Sequence, residues 1–211
     1  MFPASMSAHL VLKGLAIGFS IAAPVGPIGL LCIRRAVAEG ARAGFVCGLG
    51  AATADAAYAL IGGFAMIAVA RWLVQEQRWF GLAGGLFLIY LGLRTLGAKP
   101  AHAAAAAGGR SALSAYGSTL LLTLANPMTM VSFAAVFAGI GAAGAATYAA
   151  ATLVAGVFAG SALWWLLLSG LCGRARRRIG ARAMQWLNRA CALVLVGFGC
   201  YAIAGAVRAV V

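Results

Sequence analysis

Six apolar runs, each long enough to cross a bilayer, recur along this chain and leave room for little else. A helix spanning the hydrocarbon layer needs about 20 apolar residues. The runs cover roughly 8–33, 43–69, 79–97, 113–139, 146–171 and 185–207. Short gaps separate them: "RRAVAEGAR", "RWLVQEQR", "GAKPAHAAAAAGGR", "GIGAAGAAT" and "GRARRRIGAR". At membrane depth the backbone must satisfy its own hydrogen bonds, and runs of this length do so as helices. The sequence predicts an all-α polytopic membrane protein with six transmembrane helices in one domain, 1–211. Only 9% of the residues are charged, against about 25% in soluble domains.

The formal net charge of +13 would suggest nucleic acid in a soluble protein. Here Lys and Arg sit in the gaps, so the basic residues report topology and no nucleic-acid partner is expected. With six spans, gaps one, three and five share a face. Twelve of the 16 basic residues fall there, among them Arg34, Arg35, Arg42 and the cluster from Arg174 to Arg182. Lys13, Arg71, Arg78 and Arg208 fall on the other face. Basic residues favour the cytoplasmic side, so both termini are predicted outside. The Arg174–Arg182 cluster reads as a topology anchor, with anionic lipid heads as a second use. The N-terminus lacks a charged segment and a cleavage site, so the first run reads as a retained helix. Cys32, Cys47, Cys172, Cys191 and Cys200 form no C-x-x-C pair and read as free thiols, with no metal or other cofactor implied.

The two halves carry their features in the same order. Gly50, Asp55 and Tyr58 of the second run fall on Gly156, Ser161 and Trp164 of the fifth. The prolines at 24 and 27 in the first run correspond to Asn126-Pro127 in the fourth, and Gly92 falls on Gly199. Three helices per half, an odd number, must run oppositely in the membrane. The order therefore predicts a 3+3 inverted repeat, a transporter architecture: repeat 1 over about 1–97, a linker over about 98–112, and repeat 2 over about 113–211.

Of three acidic residues, Glu39 and Glu76 lie in gaps and read as solvated charges. Asp55 lies deep in the second run. A carboxylate at a helix centre costs about 2.5–3.5 kcal/mol on insertion scales, so it normally faces a bundle interior or a wet cavity. It binds a substrate amine or a proton, or it hydrogen-bonds a neighbouring helix. Proline removes an N–H and clashes with the carbonyl four residues back. Pro24, Pro27 and Pro127 thus free the carbonyls of Ser20, Ala23 and Thr123. Pro27 and Pro127 also suit the first turn of a helix. Each then starts a half-helix whose N–H groups and positive dipole end point to mid-membrane. Helices 1 and 4 are accordingly predicted as broken. A plain proline kink is the alternative. Gly26 lets the chain turn and lets a ligand approach, and Asn126 is placed to cap the half-helix that follows. Tyr58 shares a helix face with Asp55. Gly44, Gly48 and Gly50-Ala51-Ala52 allow close helix packing. Trp72, Trp79 and Trp186 fit an interfacial belt, while Trp164 and Trp165 lie deeper and read first as lipid-facing, with one of them lining the cavity as the alternative.

These residues together resemble the lysine-exporter (LysE/RhtB-type) family of bacterial amino-acid exporters. The resemblance spans the whole chain. It rests on "AAPVGPIGLLCIRRAVAEGARAGFVCGLGAATADAAYAL" and "LLTLANPMTMVSFAAVFAGIG". Pro24, Gly26 and Pro27 match the family's Pro-Gly-Pro break, Asp55 its second-helix acid, and Asn126-Pro127 its fourth-helix pair. Val25 is inserted in the first motif, and Met128 stands where the family often has Lys. The resemblance implies export of an amino acid or related metabolite across the bacterial inner membrane, by exchange with protons, and no enzymatic activity. The site residues it implies are Asp55, Tyr58, Pro24, Gly26, Pro27, Asn126 and Pro127. Self-association stays open. The alternatives are a divalent-cation exporter of the same superfamily, a non-transporting assembly subunit, and a thiol–disulfide redox protein, which would need paired cysteines in the two broken helices.

Overall fold

The computed structural model describes residues 4–24, 26–63, 72, 75–96, 111–140, 147–175 and 180–208. Eight helices make up the fold of these residues: α1 (Ala4–Ala22), α2 (Pro27–Glu39), α3 (Ala41–Gly63), α4 (Gln77–Leu96), α5 (Ala112–Leu124), α6 (Pro127–Ile140), α7 (Thr147–Ala175) and α8 (Ala181–Arg208). Among the described residues there is no strand. Helices α3, α4, α7 and α8 are each long and apolar enough to cross a membrane, and α1 with α2 qualifies as a bent pair. The protein is a multi-pass membrane protein.

Both expected breaks are present. The Ala23 N–H bonds the Phe19 carbonyl at 2.9 Å, and α1 stops before Pro24. The Gly26 N–H then donates to the Pro24 carbonyl at 3.0 Å, closing a three-residue turn. Helix α2 starts at Pro27, its first helical position, and leaves α1 at 85°. Gly26 is extended (φ −101°, ψ −163°), a conformation open to any residue, so the turn itself does not demand glycine. Nothing lies within 4 Å of a Cβ added there, so what its missing side chain leaves is open space. Val25 lies outside the described residues. At the second break, Ala125 and Asn126 separate α5 from α6. Thr123 does not keep a free carbonyl: the Asn126 N–H donates to it at 3.2 Å.

The first gap is not a loop. Helix α2 runs on through Arg34 and Arg35 to Glu39, and only Gly40 separates it from α3. Gly40 has φ 106°, where a side chain is strained, so glycine is needed at this one-residue turn. Charge does not end a helix if its groups find partners. Arg34 Nε donates to Asn188 Oδ1 on α8 at 2.8 Å. Arg35 pairs with Glu39 one turn on, at 3.5 Å. Glu39 is thus half of an ion pair rather than a lone solvated charge.

The helices pair in a regular way. Helix α3 packs on α7 and α4 on α8; α1 packs on α7 and α5 on α3. Small residues let the backbones meet, as membrane interfaces require. Gly50 lies against the Tyr116 carbonyl and the Leu120 N–H of α5, and Gly156 against the Val11 carbonyl and the Leu15 N–H of α1. Gly85 and Gly199 face each other across α4 and α8, and Gly92 faces Ala192. Gly48 lies under the Trp165 ring. Trp165 is therefore a core residue rather than lipid-facing, and Trp164 is half-buried, edge-on to Phe19 at 5.3 Å. Trp72, Trp79 and Trp186 are exposed, the first near the start of α4 and the others within the first turns of α4 and α8.

Candidate functional site

The two breaks meet at one cavity of about 280 Å³. Its floor holds Pro27 and Ile28 at the start of α2, with Ala125 and Asn126 between α5 and α6. Its walls come from the first half of α4 and the last third of α8, including Leu88 and Phe198. Gln77, Arg78, Phe198, Tyr201 and Gly205 are exposed and mark its open side, with Arg78 at one end. The volume falls just under the ~300 Å³ lower end for pockets that take drug-sized ligands, so it suits a small metabolite.

The floor is made by helix ends. In α2 the first helical backbone bond runs from the Leu30 N–H to the Gly26 carbonyl at 3.0 Å. That leaves the N–H groups of Ile28 and Gly29 at an N-terminus with no side-chain cap. In α6 the N–H groups of Thr129 and Met130 return to the Asn126 carbonyl at 3.1 and 3.2 Å, which places Asn126 at the N-cap position. Opposite them the Ala125 carbonyl ends α5 and lies against Gly84, whose missing Cβ would come within 2.9 Å of it. The cavity thus has positive helix ends and a free-ending carbonyl side by side.

Asp55 is not part of that lining. It is buried on α3, and its Oδ2 accepts from Ser161 Oγ of α7 at 2.7 Å. Ser161 is the residue that Asp55 matches when the two halves are aligned. Tyr58, one turn after Asp55, donates from its hydroxyl to the Leu124 carbonyl at 2.6 Å. Its ring stacks on Phe133 of α6 at 5.7 Å. Tyr58 therefore ties the helix of the acid to the second break. Beside it, the Tyr116 hydroxyl donates to Thr53 Oγ1 at 2.9 Å, and Thr53 donates back to the Leu49 carbonyl.

The structure brings Pro27 and Asn126 together at the cavity, joins Tyr58 to their neighbourhood, and sets Asp55 one seam away. Pro24 is exposed at the first turn, and the ring of Pro127 lies outside the described side chains, as does the side chain of Met128. Sequence reasoning missed the contribution of α4 and α8: Arg78, Leu88 and Phe198. The glycines of "GLAGG", residues 81–85, which drew no reading in the sequence, also line the cavity. Cys32 and Cys47 share one buried cluster between α2, α3 and α7, and Cys47 Sγ lies 2.9 Å from Thr119 Oγ1. All five cysteines are free thiols. Among the described residues, no group of three His, Cys, Asp or Glu gathers as a metal site.

Residues 19–205 match the family described as LysE type translocator. The chain is also 25% identical over 200 residues to the protein named "Putative amino acid efflux protein YcgF" of Bacillus subtilis (strain 168). That alignment covers 92% of this chain and 94% of the relative. No solved structure matches. A bundle of apolar helices, broken twice around one small cavity and matched to this family over most of its length, is a transporter and not an enzyme. The chain belongs to the LysE type translocator family.

Proposed function

We propose that the protein exports an amino acid or a related small metabolite from the cytoplasm in exchange for protons. It sits in the bacterial inner membrane with both termini outside. One observation carries this reading: a metabolite-sized cavity floored by both helix breaks. The substrate carboxylate meets the N–H groups at the start of α2 and α6. Such ends supply positive potential without a buried side-chain charge.

The proton occupies Asp55. The acid lies outside the cavity lining and is coupled to the second break through Tyr58. The six spans form a 3+3 inverted repeat: α1 with α2, α3 and α4 in one half, and α5 with α6, α7 and α8 in the other. The helix pairing supports it. Exchanging the halves turns α1 on α7 into α5 on α3, and leaves α3 on α7 and α4 on α8 unchanged. On this topology the cavity mouth at Arg78 opens outward. Rocking of the halves then alternates access.

Replacing Asp55 by Asn tests the assignment. Asn keeps the shape and can still accept from Ser161. In proteoliposomes, the Asp55→Asn variant should fold and lose efflux driven by an imposed pH gradient. Undiminished gradient-driven efflux would leave Asp55 as structural glue only.

A further inference from the structure

The walls of the cavity point to its cargo. Among the described residues that line it, Arg78 is the only charged one, and no acid is present. Arg78 stands at the mouth, with its guanidinium over the Trp79 ring, 5.2 Å from the centroid. That contact fixes a positive charge where cargo would pass. Behind it the wall is made of Leu88, Leu122, Phe198 and the small faces of Gly81, Gly84 and Gly85, with Gln77 and Tyr201 as its uncharged polar side chains. At the floor, Asn126 and the backbone of the breaks are the polar groups.

We infer that the cargo is an amino acid with an uncharged, apolar side chain, and that Arg78 at the mouth works against cationic side chains. This rests on the cavity being the cargo site proposed above. The backbone of a zwitterion needs a donor side and an acceptor side. The floor offers both, in the helix starts and in the Ala125 carbonyl. What remains of the cargo lies along an apolar wall. A lysine or arginine side chain there would have no counter-charge, and an unpaired buried cation is costly. It would also have to pass a like charge. Clefts lined by one sign of charge change the local concentration of a charged solute by roughly 10- to 1,000-fold, and a single exposed charge stands at the low end of that range.

Efflux of labelled leucine, methionine, lysine and arginine from proteoliposomes tests this, with the wild type, Arg78→Glu and Arg78→Gln side by side. The wild type should export leucine and methionine at least ~10-fold faster than lysine or arginine. Arg78→Glu should narrow that ratio by a similar factor, and Arg78→Gln by less. Arg78→Gln removes the charge without reversing it and stands in if the Glu variant fails to fold. Equal or faster lysine efflux by the wild type would overturn the inference and leave amino-acid export standing. So would a ratio that neither substitution moves. No efflux of any amino acid by folded protein would instead remove the proposed function, and this inference with it.

Discussion

Removing one oxygen, in Tyr58→Phe, separates a coupling role from a packing role. The hydroxyl donates to the Leu124 carbonyl at 2.6 Å, and the ring stacks on Phe133 at 5.7 Å. Phenylalanine keeps the ring and its stack and deletes only the hydrogen bond. A neutral hydrogen bond contributes about 0.5–1.5 kcal/mol net, and those measured inside a membrane protein average about 0.6 with a maximum near 1.7. The expected loss of stability is therefore about 1 kcal/mol, or about 2–4 °C in Tm for a chain of this size. Function should suffer differently. Tyr58 lies one turn from Asp55 and reaches the break, so under the proposed exchange a proton on the acid would be felt at the cavity partly through this bond. If the whole ~1 kcal/mol of this bond were lost from the coupling, the dependence of efflux on the pH gradient would fall about fivefold. The assay is counterflow in proteoliposomes with and without the gradient, beside a thermal melt in detergent. A melt lowered as expected with unchanged gradient dependence would refute the coupling role. An unchanged melt would refute the hydrogen bond itself.

Three further substitutions probe the scaffold and the contact between α2 and α8. A Cβ at Gly18 would run into the Val157 carbonyl, whereas one at Gly117 meets nothing within 4 Å. Gly18→Ala should then cost about 1–3 kcal/mol by overpacking and Gly117→Ala should not, as read by thermal melts of the two purified variants. Arg34→Ala breaks the 2.8 Å bond to Asn188, one to a charged group and so about 1.5–3 kcal/mol. Cys172 packs beside Val37, Ala38 and Met184 at that end. On the proposed topology that end is cytoplasmic, and labelling of Cys172 from that side by an impermeant maleimide should rise several-fold in Arg34→Ala.

Much of this arrangement is written locally. Proline acts on its own turn, so the breaks at Pro24–Pro27 and Asn126–Pro127 are legible without knowing any neighbour. The depth of Asp55 follows from its position in an apolar run. Its partner does not: Ser161 aligns with Asp55 between the halves, yet alignment says nothing about contact. The cavity was illegible for the same reason. Gly81, Gly84 and Gly85 look alike as packing residues, and only the pairing of α4 with α8 decides which faces leave space. The course of α2 was misjudged because Arg34 and Arg35 were counted as loop. A charged residue ends a helix only when its backbone or its partners require it, and here Asn188 and Glu39 hold both side chains.

The inverted-repeat reading gives the cavity a counterpart, and that counterpart is filled. In the register that sets Gly92 on Gly199, the cavity-lining Gly81, Gly84 and Leu88 correspond to Asn188, Cys191 and Leu195. Those three are buried under α2. Asn188 accepts from Arg34, and the Cys191 thiol lies 3.7 Å from the Leu30 carbonyl. Leu195 is packed in a cluster with Leu31, Leu91 and Leu122. The same α4–α8 seam is therefore open on one side of its crossing and closed on the other, by α2 with Leu122 of α5. Exchange of the two halves would close the open side with α6 and free Asn188 and Cys191 from α2. The step that moves cargo across is then not a change in the seam between α4 and α8, whose glycine contacts are reciprocal in both arrangements. On the proposed repeat it would be the release of α2 from α8, with the Arg34–Asn188 bond among the contacts to break. Gly40, a one-residue turn at φ 106°, and the 85° break before Pro27 bound α2 at its two ends, which are the places where a half-helix can swing without bending.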